Sequence, residues 1–166
     1  MRPSQADHGP VALSLTTVRL TGRTDYALRA ALELAASGDA LVRTEDLAER
    51  QGIAGTYLSA ILADLRRAGI VRARRGPEGG WSLARGAGEI TLADVIRAID
   101  GALTDVAGTR PENLHYSGPA TGLQSVLVAL RAAERQILES VSLADVVNEH
   151  YPARVRRLLD DPDSWH

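Results

Sequence analysis

From Leu41 to Arg85 two short helical patterns meet at a glycine and run into a hairpin whose turn is flanked by arginines. No other stretch narrows the fold so far. Thr44 is placed to cap the first pattern, and Glu45 and Asp46 set negative charge against the free N–H groups of its opening turn. This helix reads through Leu47 and Ala48 to about Gln51, where Gly52 supplies the backbone freedom that stops it. Ile53 then fits the apolar plug of a short connection between two angled helices. The second helix is expected from about Gly55 to Ala68. Its Leu58, Ile61, Leu62 and Leu65 recur at helical spacing, one stripe for a core, and Gly69 ends it.

Opposite that stripe lie Thr56, Ala60, Ala63 and Arg67, with Ser59 and Arg66 beside them. The face is slim and polar at its start and basic at its end, as a helix entering a major groove must be. By period alone, an ordinary alanine-rich surface face would look the same. The hairpin separates the two readings. Ile70–Ala73 and Trp81–Ala84 alternate as strands, and Arg74 to Gly80, with three glycines and a proline among the last five residues, makes the reversal. Between Arg66 and Arg85 six arginines stand against one acid, Glu78, in a chain of formal net charge −2. Positive charge segregated onto a helix and its hairpin is the footprint of a phosphate-binding surface. The expected fold class is mostly α with a small β-hairpin wing: a winged helix-turn-helix plus a long dimerisation helix.

The rest of the chain supplies the scaffold. A first helix, about Thr24 to Ala36, repeats Leu28, Ala31, Leu32 and Ala35 and should pack beneath the reading helices. Another, about Leu92 to Asp100, begins after Thr91 as its cap and should bury Leu92, Val95, Ile96 and Ile99. The longest helix follows a glycine- and proline-rich stretch. Its Leu123, Val126, Leu130, Ala133 and Ile137 make a coiled-coil-like seam, widened by Leu127, Leu138 and Val141. That is more apolar surface than one small domain needs, so pairing with a second copy is expected; packing wholly within its own chain is the alternative. The organisation read from these signals is 18–100 winged helix-turn-helix, 101–122 loop, 123–150 dimerisation helix region, and 151–166 C-terminal helix and tail. Residues 1–17, aperiodic and holding Pro3 and Pro10, read as a disordered extension or a start-site artefact ahead of Val18.

Three segments carry a family resemblance: VRLTGRTDYALRAALELA, TYLSAILADLRRAGIVRARRGPEGGWSLAR and ITLADVIRAIDG. Together they resemble the Rrf2 family of bacterial transcription regulators over about Val18 to Val147. The resemblance implies a homodimeric DNA-binding regulator, usually a repressor, on a two-fold symmetric operator in double-stranded DNA. Pattern and resemblance together place Thr44, Gly55, Thr56, Tyr57, Ser59, Ala60, Arg66, Arg67, Arg74, Arg75 and Gly76 at the DNA, with Arg75 reaching into the minor groove. They place Leu123, Val126, Leu127, Leu130, Ala133 and Ile137 at the dimer interface. Several relatives read bases with a glutamate and a glutamine where this chain has Ser59 and Ala60. Where a bidentate contact discriminates by about 1–3 kcal/mol, a single hydroxyl offers less, so the operator sequence does not carry over.

Many members of that family hold an iron–sulfur cluster through three cysteines in the loop before the dimerisation helix. This chain has no cysteine, and a histidine replaces only part of a thiolate set. No cofactor and no metal are therefore expected, and thiol-based sensing is excluded. His115 reads as an ordinary loop histidine; the other reading has it line a small-molecule effector pocket with Tyr116, Glu112 and Asn113. No apolar run approaches a bilayer span, so a cytoplasmic chain without membrane contact is expected. The 19 basic residues are all arginine, a side chain suited to phosphate and guanine. An enzyme is not expected. The sequence has no phosphate-binding glycine loop between strand and helix, no GxSxG and no acid–histidine pairing. The alternative class is a winged-helix protein–protein interaction module without DNA binding, which leaves the basic wing unexplained.

Overall fold

Thr21 opens helix α1 (Gly22–Ala36) by accepting the Thr24 amide at 3.2 Å. The Thr21 and Thr24 hydroxyls both donate to the carboxylate of Asp100, the last residue of helix α4 (Leu92–Asp100). An acid is unfavourable at its own helix C-terminus, but here it meets the positive N-terminal end of α1. The computed structural model describes residues 20–165 except 102, 104 and 107; the expectations for 1–17 lie outside them. Helix α1 is the central element, packed against α4, helices α2 (Thr44–Gln51) and α3 (Gly55–Arg67), and the short α6 (Leu143–Val147). Its buried face is Thr24, Ala27, Ala30, Ala31 and Leu34, rotated from the expected stripe. Leu28, Leu32 and Ala35 are half-buried beside it. The small alanines let the neighbouring helices approach α1 closely, and the leucines cover the flank.

The helix-turn-helix forms where expected, with one correction. Thr44 does not cap α2. Arg43 holds the cap position with no side-chain hydrogen bond, and the Thr44 hydroxyl instead accepts from the Trp81 indole N–H at 2.9 Å. Gly52 turns left-handed at φ 66° and ψ 36°, and the Ile53 amide returns to the Ala48 carbonyl at 3.1 Å, which closes the turn. Leu58, Ile61, Leu62 and Leu65 of α3 are all fully buried.

Strand β1 (Val71–Arg74) pairs antiparallel with β2 (Gly80–Leu83), Val71 facing Leu83 and Arg74 facing Gly80. Both lie one residue from the expected bounds. The Ile70 amide caps α3, donating to the Leu65 carbonyl at 2.9 Å, so Ile70 and Ala84 share only one bond, from the Ala84 amide to the Ile70 carbonyl at 2.9 Å, and both stand just outside the strands. Val42 adds a further rung: it donates to the Trp81 carbonyl at 3.0 Å and accepts from the Trp81 amide at 2.8 Å.

Thr91 and Asp94 form a capping box at the start of α4, which buries Ala93, Val95 and Ile96 and half-buries Leu92 and Ile99. Two 3-10 turns, Pro111–Asn113 and Gly118–Ala120, lie in the loop before helix α5 (Leu123–Leu138). The expected 123–150 region is not one helix. Past α5 the chain turns back into its own core, where the Leu92 amide donates to the Val141 carbonyl at 3.0 Å and the Leu143 amide to the Ile90 carbonyl at 2.9 Å. Val141, 3% exposed, therefore belongs to the intrachain core and does not widen the seam on α5. Helix α7 (Ala153–Leu159) packs against a final turn, Pro162–Trp165.

Candidate nucleic-acid interface

The stripe that buries four apolar side chains leaves the opposite face of α3 in solvent. Gly55, Thr56, Ser59, Ala60 and Ala63 are exposed along it. Tyr57 stands edge-on to Tyr26 of α1, with ring centroids 6.0 Å apart and planes at 88°, and the Arg29 guanidinium lies 5.3 Å from the Tyr26 ring. Aromatic packing thus fixes a ring that remains exposed at the start of the helix. The Ser59 hydroxyl donates to the Gly55 carbonyl at 2.8 Å. Its proton is used within the helix, and only lone pairs remain for a partner outside.

The six arginines from Arg66 to Arg85 fall into two groups. Arg67 pairs with Asp64, which also holds Arg23 of α1. Arg72 donates to the Ser82 hydroxyl at 3.1 Å. Arg85 donates to the Glu89 carbonyl at 3.2 Å and lies 3.8 Å from the Asp94 carboxylate. Among the described residues no carboxylate pairs with Arg66, Arg74 or Arg75, all three exposed. Of the six, only Arg67 and Arg85 meet a carboxylate; Arg72 is tied to a neutral hydroxyl, and Arg66, Arg74 and Arg75 are exposed at the end of α3 and on the wing with their charge unanswered.

Two residues that sequence reading passed over shape this surface. Asp64 is the shared acceptor for Arg23 and Arg67; its spacing from Arg67 on the helix was the available signal. Arg43 donates to the Pro77 carbonyl at 2.8 Å and ties the start of α2 to the wing tip, a contact no local spacing encodes. At Gly79 and Gly80 the turn has no room for a side chain. A Cβ on Gly79 would stand 2.3 Å from the Arg74 carbonyl oxygen, and one on Gly80 2.8 Å from that of Val42. Between α2 and the wing lies a cleft of about 460 Å³ that brings Thr44, Arg74 and Gly76 together with Arg43, Pro77 and Trp81.

Helix α5 carries the second candidate surface. It has no buried residue, and Val126 and Leu130 are 64% and 48% exposed, with Leu123 and Val128 exposed beside them. Ala133 is exposed, while Leu127 and Ile137 are half-buried against the chain itself. Val128 lies off the three-four spacing of the seam and was not anticipated. In the preceding loop His115 is exposed and Tyr116 half-buried. The cleft that this loop makes against α4 and α5 is lined by neither; its walls are Arg97, Gly101, Leu103, Arg110, Arg131 and Arg135.

Comparison with known proteins agrees with this geometry. The Rrf2 family model, described as an iron-dependent transcriptional regulator, matches residues 20–149. The chain is 46% identical over 145 residues to the HTH-type transcriptional regulator Rv1287 of Mycobacterium tuberculosis, covering 87% of this chain and 90% of the relative. It is 44% identical over 84 residues to the HTH-type transcriptional regulator IscR of Xenorhabdus nematophila, covering 50% of this chain and 51% of that one. Its backbone is similar to that of CymR, the global cysteine regulator of B. subtilis, with a TM-score of 0.69 and 27% identity over 80% of this chain and 98% of the other. The T. potens IscR structure gives 0.64 and 30% over 79% and 87%.

The family description raises iron, and the donor set does not fit a thiolate-held cluster. There is no cysteine in 166 residues, and among the described residues no group of three or more His, Asp or Glu side chains is placed to hold a metal ion. The Glu112 carboxylate in that loop is taken by Arg131. No helix among the described residues is long and apolar enough to cross a membrane. Control of transcription, not catalysis, is what these relatives share. Sequence along most of the chain and the course of its backbone lead to one conclusion: the chain belongs to the Rrf2 family of transcriptional regulators.

Proposed function

We propose that two copies of the chain bind a two-fold symmetric operator in double-stranded DNA, in the cytoplasm, and repress transcription from it without an iron–sulfur cluster. The observation that carries the DNA reading is the set of unpaired, exposed guanidiniums of Arg66, Arg74 and Arg75 beside a slim helix face. In this reading the first turns of α3 enter the major groove, with Thr56, Tyr57, Ser59 and Ala60 nearest the bases and Gly55 letting the backbone approach. Thr44 and Gly76 flank the phosphates from either side of the wing cleft, and Arg66 and Arg74 meet the backbone. Arg75 enters the adjacent minor groove, where a narrow A·T-rich segment concentrates negative potential. Arg67 joins them only in competition with Asp64. Ser59, its proton already committed to Gly55, can accept from a base but not donate, and Ala60 can touch only a thymine methyl.

The exposed apolar side of α5 supports the dimer. Leu123, Val126, Leu130 and Ala133 with Leu127 and Ile137 at the flank form a self-complementary strip, and an isologous contact sets two α3 helices in two-fold relation. The absence of any thiolate in the sequence supports the reading without iron. The test is a set of binding isotherms on palindromic duplexes selected by the protein itself, run at several salt concentrations. We expect two protomers per site, and Arg75→Ala, which removes one guanidinium from each, to weaken binding with a log–log salt slope shallower by about 1.8 and an unchanged melting temperature. Salt-insensitive binding or one protomer per duplex overturns the reading. A stoichiometric iron–sulfur absorption band in anaerobically purified protein overturns the cofactor part alone.

A further inference from the structure

The geometry points to a second binding site, a cleft between α4, the loop before α5 and α5 itself that takes a small oxyanion-bearing metabolite, a dicarboxylate or a phosphate compound, as the effector of the regulator. Four guanidiniums line one space of about 340 Å³: Arg97 from α4, Arg110 from the loop, and Arg131 and Arg135 from α5. That volume lies at the small end of the range for ligand pockets. Two carboxylates answer the four cations. Glu139 receives Arg97 and, at 3.3 Å, the Nε of Arg135; Glu112 receives Arg131. An excess of two positive charges remains on the lining. Glu134, one turn from Arg131 on α5 and outside the lining, has its carboxyl pushed up by burial and drawn back down by Arg131.

Arg131 sets the ligand class. Its side chain is only 17% exposed, and its Nε, like the Oε2 of neighbouring Glu134, is buried without a hydrogen-bond partner. A buried donor of that kind calls for a partner. A duplex phosphate does not reach a guanidinium set so far in, whereas a small anion does, and the planar fork of arginine matches an oxyanion with two parallel bonds. Occupancy would also move something. The Arg97–Glu139 pair joins α4 to α5, and Arg131–Glu112 joins the loop to α5. A ligand that draws these arginines off their acids changes how α5 sits on the winged domain, and so shifts the protein between arrangements of different operator affinity. Anion binding stands apart from the DNA reading; only its role as an effector rests on it.

The test uses the full chain with labelled arginine, titrated with sodium malonate and with inorganic pyrophosphate at an ionic strength held constant with chloride, following the Nε–H resonances. Saturable shifts of Arg131 and Arg135 are expected with at least one probe, and a response to only one identifies the ligand chemistry. Arg110→Gln, which breaks no ion pair among the described residues, should weaken binding about tenfold with an unchanged melting temperature. Arg75→Ala should leave it unaltered. Shifts confined to Arg66, Arg74 and Arg75, a non-saturating response like that to chloride, or wild-type binding by Arg110→Gln overturns the site. Operator affinity, measured with and without each probe, is a separate readout: equal affinity in all cases refutes the effector role, and failure to bind DNA in all of them refutes the DNA reading and leaves the cleft standing.

Discussion

Replacing Gly80 by alanine puts a methyl group where the wing has no space for one. The added Cβ would lie 2.8 Å from the Val42 carbonyl oxygen and 3.0 Å from its carbon, whereas ordinary contact begins at 3.4 Å. Strand β2 and the Val42 segment must therefore part by about 0.6 Å. The two hydrogen bonds between Val42 and Trp81, now 3.0 and 2.8 Å, would stretch past the usual 2.7–3.2 Å range. At a net ~0.5–1.5 kcal/mol each, their loss costs about 2 kcal/mol. For a chain of this length that is a fall of about 4–8 °C in melting temperature. Arg74, paired with Gly80 across the hairpin, shifts with it, so DNA affinity falls too. Thermal melts by circular dichroism at fixed protomer concentration measure the first effect, and Trp81 emission in a Trp165→Phe background reports the second strand directly. Gly88→Ala is the control, since nothing lies within 4 Å of its Cβ position; it should change stability by no more than about 0.5 kcal/mol. A Gly80→Ala protein that melts within about 1 °C of wild type refutes the close approach and the magnitude drawn from it.

Asp64→Asn unpairs Arg23 and Arg67 together. We expect a loss of about 1.5–3 kcal/mol in denaturant melts with DNA affinity held or raised by the released Arg67; an unchanged midpoint would mean the triad adds nothing to stability. The Asp145 carboxyl is held below its usual 3.8, first by the Ser142 hydroxyl and then by the Ser142 amide. With the folded value depressed, this cap contributes fully above 3.8 and is lost as pH falls through the lower folded value. Ser142→Ala should therefore flatten that part of the acid limb in urea melts between about pH 2 and 5, and an unaltered limb contradicts the assignment. Val126→Asp with Leu130→Asp should give a folded monomer by light scattering; a persistent dimer moves the interface off α5.

The helix-turn-helix was legible because its signals are local. A glycine at the turn, an i, i+3, i+4, i+7 stripe and a cap before α4 depend on spacing within a few residues, and each appears within a residue or two of its expected place. What was not legible depends on residues far apart. Thr44 has the chemistry of a cap, but Trp81, 37 positions on, claims its hydroxyl. The Leu28, Ala31, Leu32 and Ala35 stripe on α1 follows the apolar period, whereas burial follows the neighbours, and of the four only Ala31 lies on the face that packs on α4 and α3. Val141 fits the period of α5 as well as any residue on it, yet β-like bonds to the segment beside Thr91 pull it into the core. Period alone could not distinguish the two, since both are apolar positions on one helical repeat.

The same limit governs charge. A count of six arginines to one acid describes a segment, and a DNA surface is decided by which of those charges are free. Asp64 lies outside the counted window and removes Arg67 from it; Asp94 and the Glu89 carbonyl do the same for Arg85. Four remain: Arg66 at the end of α3, and Arg72, Arg74 and Arg75 on a hairpin whose own backbone fixes their direction, with Arg72 held by the Ser82 hydroxyl. Conversely, Arg97, Arg110, Arg131 and Arg135 drew no notice in sequence because they are spread over 39 positions, and folding gathers them into one cleft. Basic clusters visible along the chain thus overstate the DNA surface, and the cluster that no window reveals is the one placed to sense an anion. If malonate or pyrophosphate leaves Arg131 untouched, that last inference fails while the wing arginines keep their role.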